Sequence, residues 1–165
     1  MRQMRRIQQQ LTREECLQVL ERGTHGVLAV LGDEGYPYAV PVSYVHGDGK
    51  LWFHCAKTGH KLEAIRAYPK VSFCVVDQDQ IVPEEYTTYF RSVIAFGTAR
   101  ELEAPWEKRQ ALEALAAKYS PQQEAGRKEE IRAQFANVAM VELTVEHMSG
   151  KEAIELVRQK KSACV

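Results

Sequence analysis

Phe53-His54-Cys55-Ala56-Lys57-Thr58-Gly59-His60-Lys61 is the stretch that decides the fold. It reads as the end of an apolar strand, a turn of small and basic residues, and the start of a helix. A helix N-terminus presents unpaired amide donors and a positive dipole end, so an anion is held there without special machinery. Lys57 and Lys61 stand at an i, i+4 spacing, Thr58 supplies a hydroxyl, Gly59 permits close backbone approach and His60 adds a donor. The pattern suits a phosphate. Basic residues in a turn are also common, so spacing alone leaves an ordinary solvated turn open.

Reading towards the N-terminus, Leu51 to Cys55 is a strand behind the tight turn Gly47-Asp48-Gly49. Tyr38 to Val45 is a second strand rich in β-branched and aromatic residues. Gly26 to Leu31 is a third, separated from it by Gly32-Asp33-Glu34-Gly35. The three form a meander. Thr12-Arg13-Glu14-Glu15 is a capping box for a helix that buries Cys16, Leu17 and Leu20 and stops at Gly23.

In the other direction a short amphipathic helix from Gly59 buries Leu62, Ala64 and Ile65 and ends at Tyr68-Pro69. Val71 to Val76 is a strand, and polar Asp77 to Glu85, with Pro83, reads as an irregular loop. Tyr86 to Leu102 returns to strand. Pro105 opens a helix whose buried stripe is Leu112, Leu115, Ala116 and Tyr119, broken by Pro121. A charged helical segment, Gln123 to Gln134, carries Arg127-Lys128-Glu129-Glu130 as a solvated face. Val138 to Val145 is the last strand. About six strands with few helices predict a mainly β protein, a small antiparallel barrel that removes its edges by closing on itself.

Composition bounds the function. At 165 residues the chain is one domain, 1–165, with residues 1–10 as a basic flexible arm and 152–165 as a tail. Its 22 basic and 22 acidic side chains cancel, so no global field recruits nucleic acid or anionic lipid. No apolar run approaches the roughly 20 residues that span a bilayer. Cys16, Cys55, Cys74 and Cys164 form no C-x-x-C pair and no cleavable apolar leader precedes them, so reduced thiols in a cytoplasmic protein are expected.

The remaining chemistry-bearing side chains have plain readings. His25, His46 and His147 read as surface or internally satisfied histidines, and Trp106 as helix packing. Trp52 and Phe53 face opposite ways on one strand. His54, Cys55, His60 and Cys74 lack the spacing of a structural zinc site, so no metal is expected. Cys55 and Cys74 read as small buried hydrophobes, with oxidation of Cys55 beside the lysines as the alternative. Ser43 and Ser92 lie in no nucleophile elbow.

The strings PYAVPVSY (Pro37 to Tyr44), FHCAKTGHK (Phe53 to Lys61), YPKVSF (Tyr68 to Phe73) and YFRSVIAFGTAR (Tyr89 to Arg100) resemble the pyridoxamine 5'-phosphate oxidase-related FMN-binding split-barrel family. The helix with Lys108, Leu112 and Leu115, and the Gly150-Lys151 step, resemble its nitroimidazole-resistance branch. The resemblance runs from Leu11 to Lys151. It implies a six-stranded antiparallel split barrel that dimerises, with FMN in a groove between the subunits. Lys57, Thr58, Gly59, His60 and Lys61 would hold its phosphate. Pro41, Val42, Ser43 and Tyr44 would run beside the isoalloxazine, Ala56 and His54 would line the ring or ribityl side, and Ser92 would contribute from the long strand. His54 is the candidate substrate contact. The implied activity is transfer of electrons from NADH or NADPH to a small electron-poor acceptor such as a nitroaromatic. A non-catalytic flavin carrier, haem binding through His54 or His60, and pyridoxamine phosphate oxidation are the competing expectations. The last is disfavoured because the chain ends Arg158-Gln159-Lys160-Lys161-Ser162-Ala163-Cys164-Val165, without the arginine- and tryptophan-containing motif of the true oxidases.

Overall fold

The Thr12 hydroxyl accepts the Glu15 N–H at 3.2 Å while the Glu15 carboxylate accepts the Thr12 N–H at 2.8 Å, so the expected capping box opens α1 (Arg13–Arg22). The computed structural model describes residues 1–163; Cys164, expected as a reduced thiol, lies outside the described residues. After α1 come β1 (His25–Leu31), β2 (Pro37–Ser43), β3 (Val45–Gly47) and β4 (Lys50–Ala56). They are followed by α2 (His60–Ala67), β5 (Lys70–Val82), β6 (Thr87–Glu101), α3 (Pro105–Tyr119), α4 (Glu124–Gln134), β7 (Val138–Glu152) and α5 (Ile154–Ala163). No helix among the described residues is long and apolar enough to cross a membrane.

The mainly β, six-stranded split barrel expected from sequence is not what the chain forms. Helix makes up about 39% and strand 42%, a mixed α/β composition. Seven strands build one antiparallel sheet in the order β2-β1-β5-β6-β7-β4-β3. The edge strands β2 and β3 share no ladder among the described residues, so the sheet stays open. Yet only Tyr44 separates them in sequence. Successive Cα atoms are about 3.8 Å apart, so the sheet must curl until its two edges meet end to end at that residue. Counting strands missed this because Tyr44 reads as strand on both sides, and α5 adds a helix in the segment read as a tail to the four helices already read from sequence.

Two strands also run further than expected. β5 continues through the predicted loop to Val82, because a bulge between Val76 and Gln78 lets Gln78, Asp79 and Gln80 pair with Arg91, Phe90 and Tyr89. This ribbon has largely exposed faces, so it needs no apolar alternation to betray it. β7 passes Val145 and reaches Glu152 after an irregularity between Phe96 and Gly97. Glycine is required there, since a Cβ on Gly97 would lie 1.9 Å from the Thr144 carbonyl oxygen.

The concave face of the curl holds the core, with Leu28, Leu51, Phe53, Phe73, Val75 and Val93 fully buried against Val19 and Leu20 of α1 and Leu62 of α2. Tyr44 belongs to it: its hydroxyl donates to the Leu20 carbonyl at 2.8 Å and its ring meets Phe73 edge-on. A second, smaller cluster of Leu102, Ala111 and Met140, with Trp52 and Leu112, packs α3 against the outer side of β4 and β7. Two buried carboxylates pin β7, Glu142 in its first half and Glu152 at its end. Glu142 accepts from Lys50 and Trp52, each at 3.0 Å, and from Arg100. Glu152 accepts from Arg91 and Lys160. At the chain's start, Gln9 donates to the Glu152 carbonyl and Gln10 bridges to Lys151.

Candidate functional site

β4 alternates strictly. Leu51, Phe53 and Cys55 enter the core, which sends Trp52, His54 and Ala56 to the opposite face. Ala56 leads into the turn Lys57-Thr58-Gly59, where Gly59 has φ +128°, a conformation that side chains rarely adopt, and open space beside it. The turn therefore delivers Lys57 and Thr58, both exposed, and half-buried Lys61 to the N-terminus of α2. That terminus already attracts an anion: the Gly59 N–H donates to the Glu63 carboxylate at 3.3 Å. Lys57 lies close enough to Lys108 of α3 that, after burial, it is the next influence lowering the Lys108 pKa.

His60 is engaged. Its ring stacks on Tyr38 with centroids 4.2 Å apart, and its Nε2 accepts the Asp33 N–H at 3.3 Å, tying α2 to the turn between β1 and β2. An accepting Nε2 places the proton on Nδ1, which keeps that nitrogen as a donor.

His54 and Ser43 meet at one cavity of about 430 Å³. Leu112, Leu115, Ala116 and Tyr119 of α3 form one wall, Ile131 with Glu130 and Gln134 of α4 the other, and Val138 of β7 completes it. The lining is almost wholly apolar, and among the described residues it includes one carboxylate and no lysine or arginine. Tyr119 closes one end: its hydroxyl accepts the Tyr44 N–H at 3.0 Å and donates to the Thr24 carbonyl. Lys118, next to it, lies 4.2 Å from the centroid of the Tyr44 ring and donates to the Gly23 carbonyl. The end of α3 thus clamps the residue at which the sheet's edges meet.

The other predicted positions divide. Pro41 and Ser43 are exposed, whereas the Val42 and Tyr44 side chains turn into the core and leave only backbone outside. Ser92 faces outward on β6 opposite Lys151, far along β7 from Met140, which pairs with His54, so one chain does not bring it to the His54 cavity. Cys55 is buried, and burial pushes its thiol pKa up more than Lys61 pulls it down, which disfavours the thiolate that oxidation starts from. Sequence reasoning took Leu112, Leu115, Ala116 and Tyr119 as an ordinary buried stripe and Glu130 as part of a solvated face. The stripe's ending in a tyrosine was the signal that it borders something polar. His46 and Trp106 depart further from their readings: His46 Nε2 is buried with no hydrogen-bond partner among the described residues, and Trp106 is 69% exposed.

Residues 12–152 match the pyridoxamine 5'-phosphate oxidase family. An FAD-binding protein from Mesorhizobium loti is 30% identical, with 87% of this chain and 96% of that one covered and a TM-score of 0.67. A Bacteroides thetaiotaomicron protein named for 5-nitroimidazole antibiotic resistance shares the fold at TM-score 0.71 and 20% identity, covering 87% and 86%. An FAD and haem binding protein from Mycobacterium smegmatis does so at TM-score 0.73 and 24% identity, over 88% and 73%. Comparison with curated proteins found no match.

Proposed function

From the premise that the chain belongs to the pyridoxamine 5'-phosphate oxidase-like flavoprotein family, we propose that it binds FMN between two copies of itself and reduces small, flat, electron-poor acceptors with NADH or NADPH. Nitroimidazoles and other nitroaromatics are the acceptor class. The observation that carries this reading is the His54 cavity, an apolar slot next to the lysine turn with no lysine or arginine in its lining among the described residues.

The residues fit a flavin nucleotide. Lys57, Lys61, the Thr58 hydroxyl, the Gly59 N–H and the His60 Nδ1–H form a donor set for its phosphate, and the Glu63 carboxylate now bonded to Gly59 stands in for that anion. Pro41, Ser43 and Ala56 offer an exposed edge for the ring system, with Val42 and Tyr44 contributing backbone. Bound flavin supplies the hydride and electron transfer. The chain's own part is positioning. Tyr119 holds the Tyr44 backbone, Leu112, Leu115 and Ile131 keep water from the slot, and His54 gives a hydrogen bond to an acceptor's polar group. No side chain acts as nucleophile.

A second copy suits the outer face of the sheet. Val27, Cys74 and Ile94 align across three strands there, with Val76 beside them at 57% exposure. A partner on that face would also bring its own Ser92 towards a shared groove. Pyridoxamine phosphate fits poorly, since its phosphate would enter a cavity whose lining, among the described residues, holds the Glu130 carboxylate and no lysine or arginine.

Two cofactor readings are separable. The Mesorhizobium loti relative is an FAD-binding protein, which favours FAD as the second reading. Visible absorbance of the purified protein, followed by chromatography of what denaturation releases, decides between FMN and FAD. Anaerobic reduction with NADH or NADPH and reoxidation by a nitroaromatic then tests turnover. Flavin that is reduced but not reoxidised by any acceptor would leave a carrier, and a colourless protein that takes up neither flavin would refute the proposal.

A further inference from the structure

Two cavities border α3, and their carboxylates are in different states. The polar one, of about 370 Å³, is lined by Trp52, Glu107 and Glu142. Both carboxylates there are spent: Glu142 accepts from Lys50, Trp52 and Arg100, and Glu107 accepts from the other side of the Arg100 guanidinium. The His54 slot is apolar and holds a single carboxylate, that of Glu130 on α4, which is exposed and makes no hydrogen bond or ion pair among the described residues.

The cations of the surrounding elements are turned elsewhere. Arg127 stands three residues before Glu130 on the same side of α4, but its guanidinium donates to the Ser120 and Pro121 carbonyls beyond the end of α3. Lys128 and Arg132 are each two residues from Glu130 and so lie round the helix from it. On α3, Lys118 donates to the Gly23 carbonyl and lies over the Tyr44 ring. Lys108 donates to the carbonyls of Phe135 and Val138, and Arg109 lies over the Phe135 ring. Phe135 caps α4 five residues on from Glu130, about 7.5 Å along the axis, so these two cations and Lys57 beside them serve the other end of the helix.

Taking the slot as the acceptor site, as proposed above, we infer that Glu130 selects those electron-poor acceptors that carry a protonated amine on the side of the ring away from the reducible group. His54 projects from β4 and Glu130 from α4, which lies over it. A one-ring acceptor that offers its nitro group to His54 packs its ring against Leu112, Leu115 and Ile131 and turns its opposite substituent towards Glu130. The apolar lining keeps water from one side of the carboxylate, so an ammonium group placed there is screened less than at an open surface. An anionic substituent in the same place meets like charge and no lysine or arginine in the lining. Glu130 touches the substituent rather than the reacting atoms, so it sets specificity and takes no part in electron transfer.

Three nitrobenzenes of similar size separate charge from shape: 4-nitrobenzylamine, 4-nitrobenzyl alcohol and 4-nitrobenzoate. Their binding to the oxidised full-length protein at pH 7, by calorimetry, should favour the amine over the alcohol by about fivefold, the size expected of a partly solvated ion pair, and the benzoate should bind more weakly still. Reoxidation of the reduced flavoprotein should follow the same order in kcat/KM, and both preferences should narrow at high salt. Glu130→Gln, which keeps side-chain size and helix propensity, should bring the amine-to-alcohol ratio close to one, and Glu130→Lys should turn the preference towards the benzoate. Glu129→Gln removes the same charge from an exposed neighbour outside the slot lining and should keep the wild-type ratio. Equal binding and equal kcat/KM for the three compounds would overturn the selectivity while leaving the reductase reading intact. An amine preference in binding without reoxidation by any of them would uphold the selectivity and remove the reductase reading. A preference that survives Glu130→Gln, or is lost equally in Glu129→Gln, would overturn the assignment to Glu130, as would the absence of binding by all three at millimolar concentration.

Discussion

The two faces of β4 divide the labour of the molecule between alternate residues of one short strand. On the inner face Phe53 is 0% exposed and Leu51 equally so, and both are held by packing from every side. On the outer face Trp52, His54 and Ala56 each border something different: the polar cavity, the apolar slot and the lysine turn. Glu142, across the ladder from Trp52, is the exception that ties the outer face down. The difference teaches that inner-face residues set whether the protein folds, whereas outer-face residues set what it can hold.

The sharpest way to test that division is Phe53→Ala. It should cost about 3 to 5 kcal/mol of stability, read from the urea midpoint, because a fully enclosed ring leaves a cavity the core cannot refill. A loss under about 1 kcal/mol would mean that the inner face is not the stabilising one.

Glu142→Ala should follow, at about 2 to 3 kcal/mol. This is below the ~3 to 5 of a wholly buried ion pair, because Lys50 and Arg100 are partly solvated and regain water when their carboxylate goes. The same network predicts an acid limb. Burial raises the Glu142 pKa but the hydrogen bonds from Lys50, Trp52 and Arg100 outweigh it, and Arg22 with Arg91 lowers that of Asp77. Folded pKa values below the ordinary 4.5 and 3.8 mean that this stability is fully present above those values and is lost as pH falls through the depressed ones. Denaturation midpoints measured from pH 7 down to about pH 3 should fall steeply only below about pH 4 in the wild type, and less steeply in Glu142→Ala.

Lys61→Ala moves from stability to binding. Flavin affinity by fluorescence titration should weaken by about 1.5 to 3 kcal/mol through loss of a charge-assisted bond to phosphate. The urea midpoint should stay put, and an unchanged affinity would place the phosphate elsewhere. His54→Phe should shift stability least, within about 0.5 kcal/mol, since the side chain is exposed. Its effect should appear as slower reoxidation of reduced flavin by nitroaromatics, and an unchanged rate would remove His54 from acceptor contact.

Much of this was legible in the residues, for physical reasons that also explain the failures. Thr12 with Glu15, the Gly47-Asp48-Gly49 turn and the Phe53 to Lys61 strand-turn-helix are local, and local chemistry writes itself into adjacent positions. Gln78 to Gln80 were unreadable as strand because an exposed ribbon satisfies its backbone without apolar alternation. The open antiparallel sheet was unreadable because closure depends on which edges pair, and Tyr44 carries no sign that the chain passes there from one edge to the other. In the candidate site, sequence pointed to residues on one strand and turn and passed over Tyr119 and Ile131, whose place beside them exists only once α3 and α4 lie over β4. His46 looked satisfiable from its neighbours in sequence, and only the tertiary arrangement leaves its Nε2 without a partner among the described residues.

Tyr44 also sets a clock. Because it joins strands at opposite edges of the sheet, neither half of the sheet can be finished and then extended. β4 must find β7 and β1 must find β5 across long intervening chain before the two edges of the sheet can meet at Tyr44. Loops of that length close at an entropic cost that no local contact repays early, and chains dominated by such pairings fold in milliseconds to seconds rather than microseconds. Stopped-flow refolding should therefore show one slow phase in that range, with helix signal and tryptophan signal arriving together.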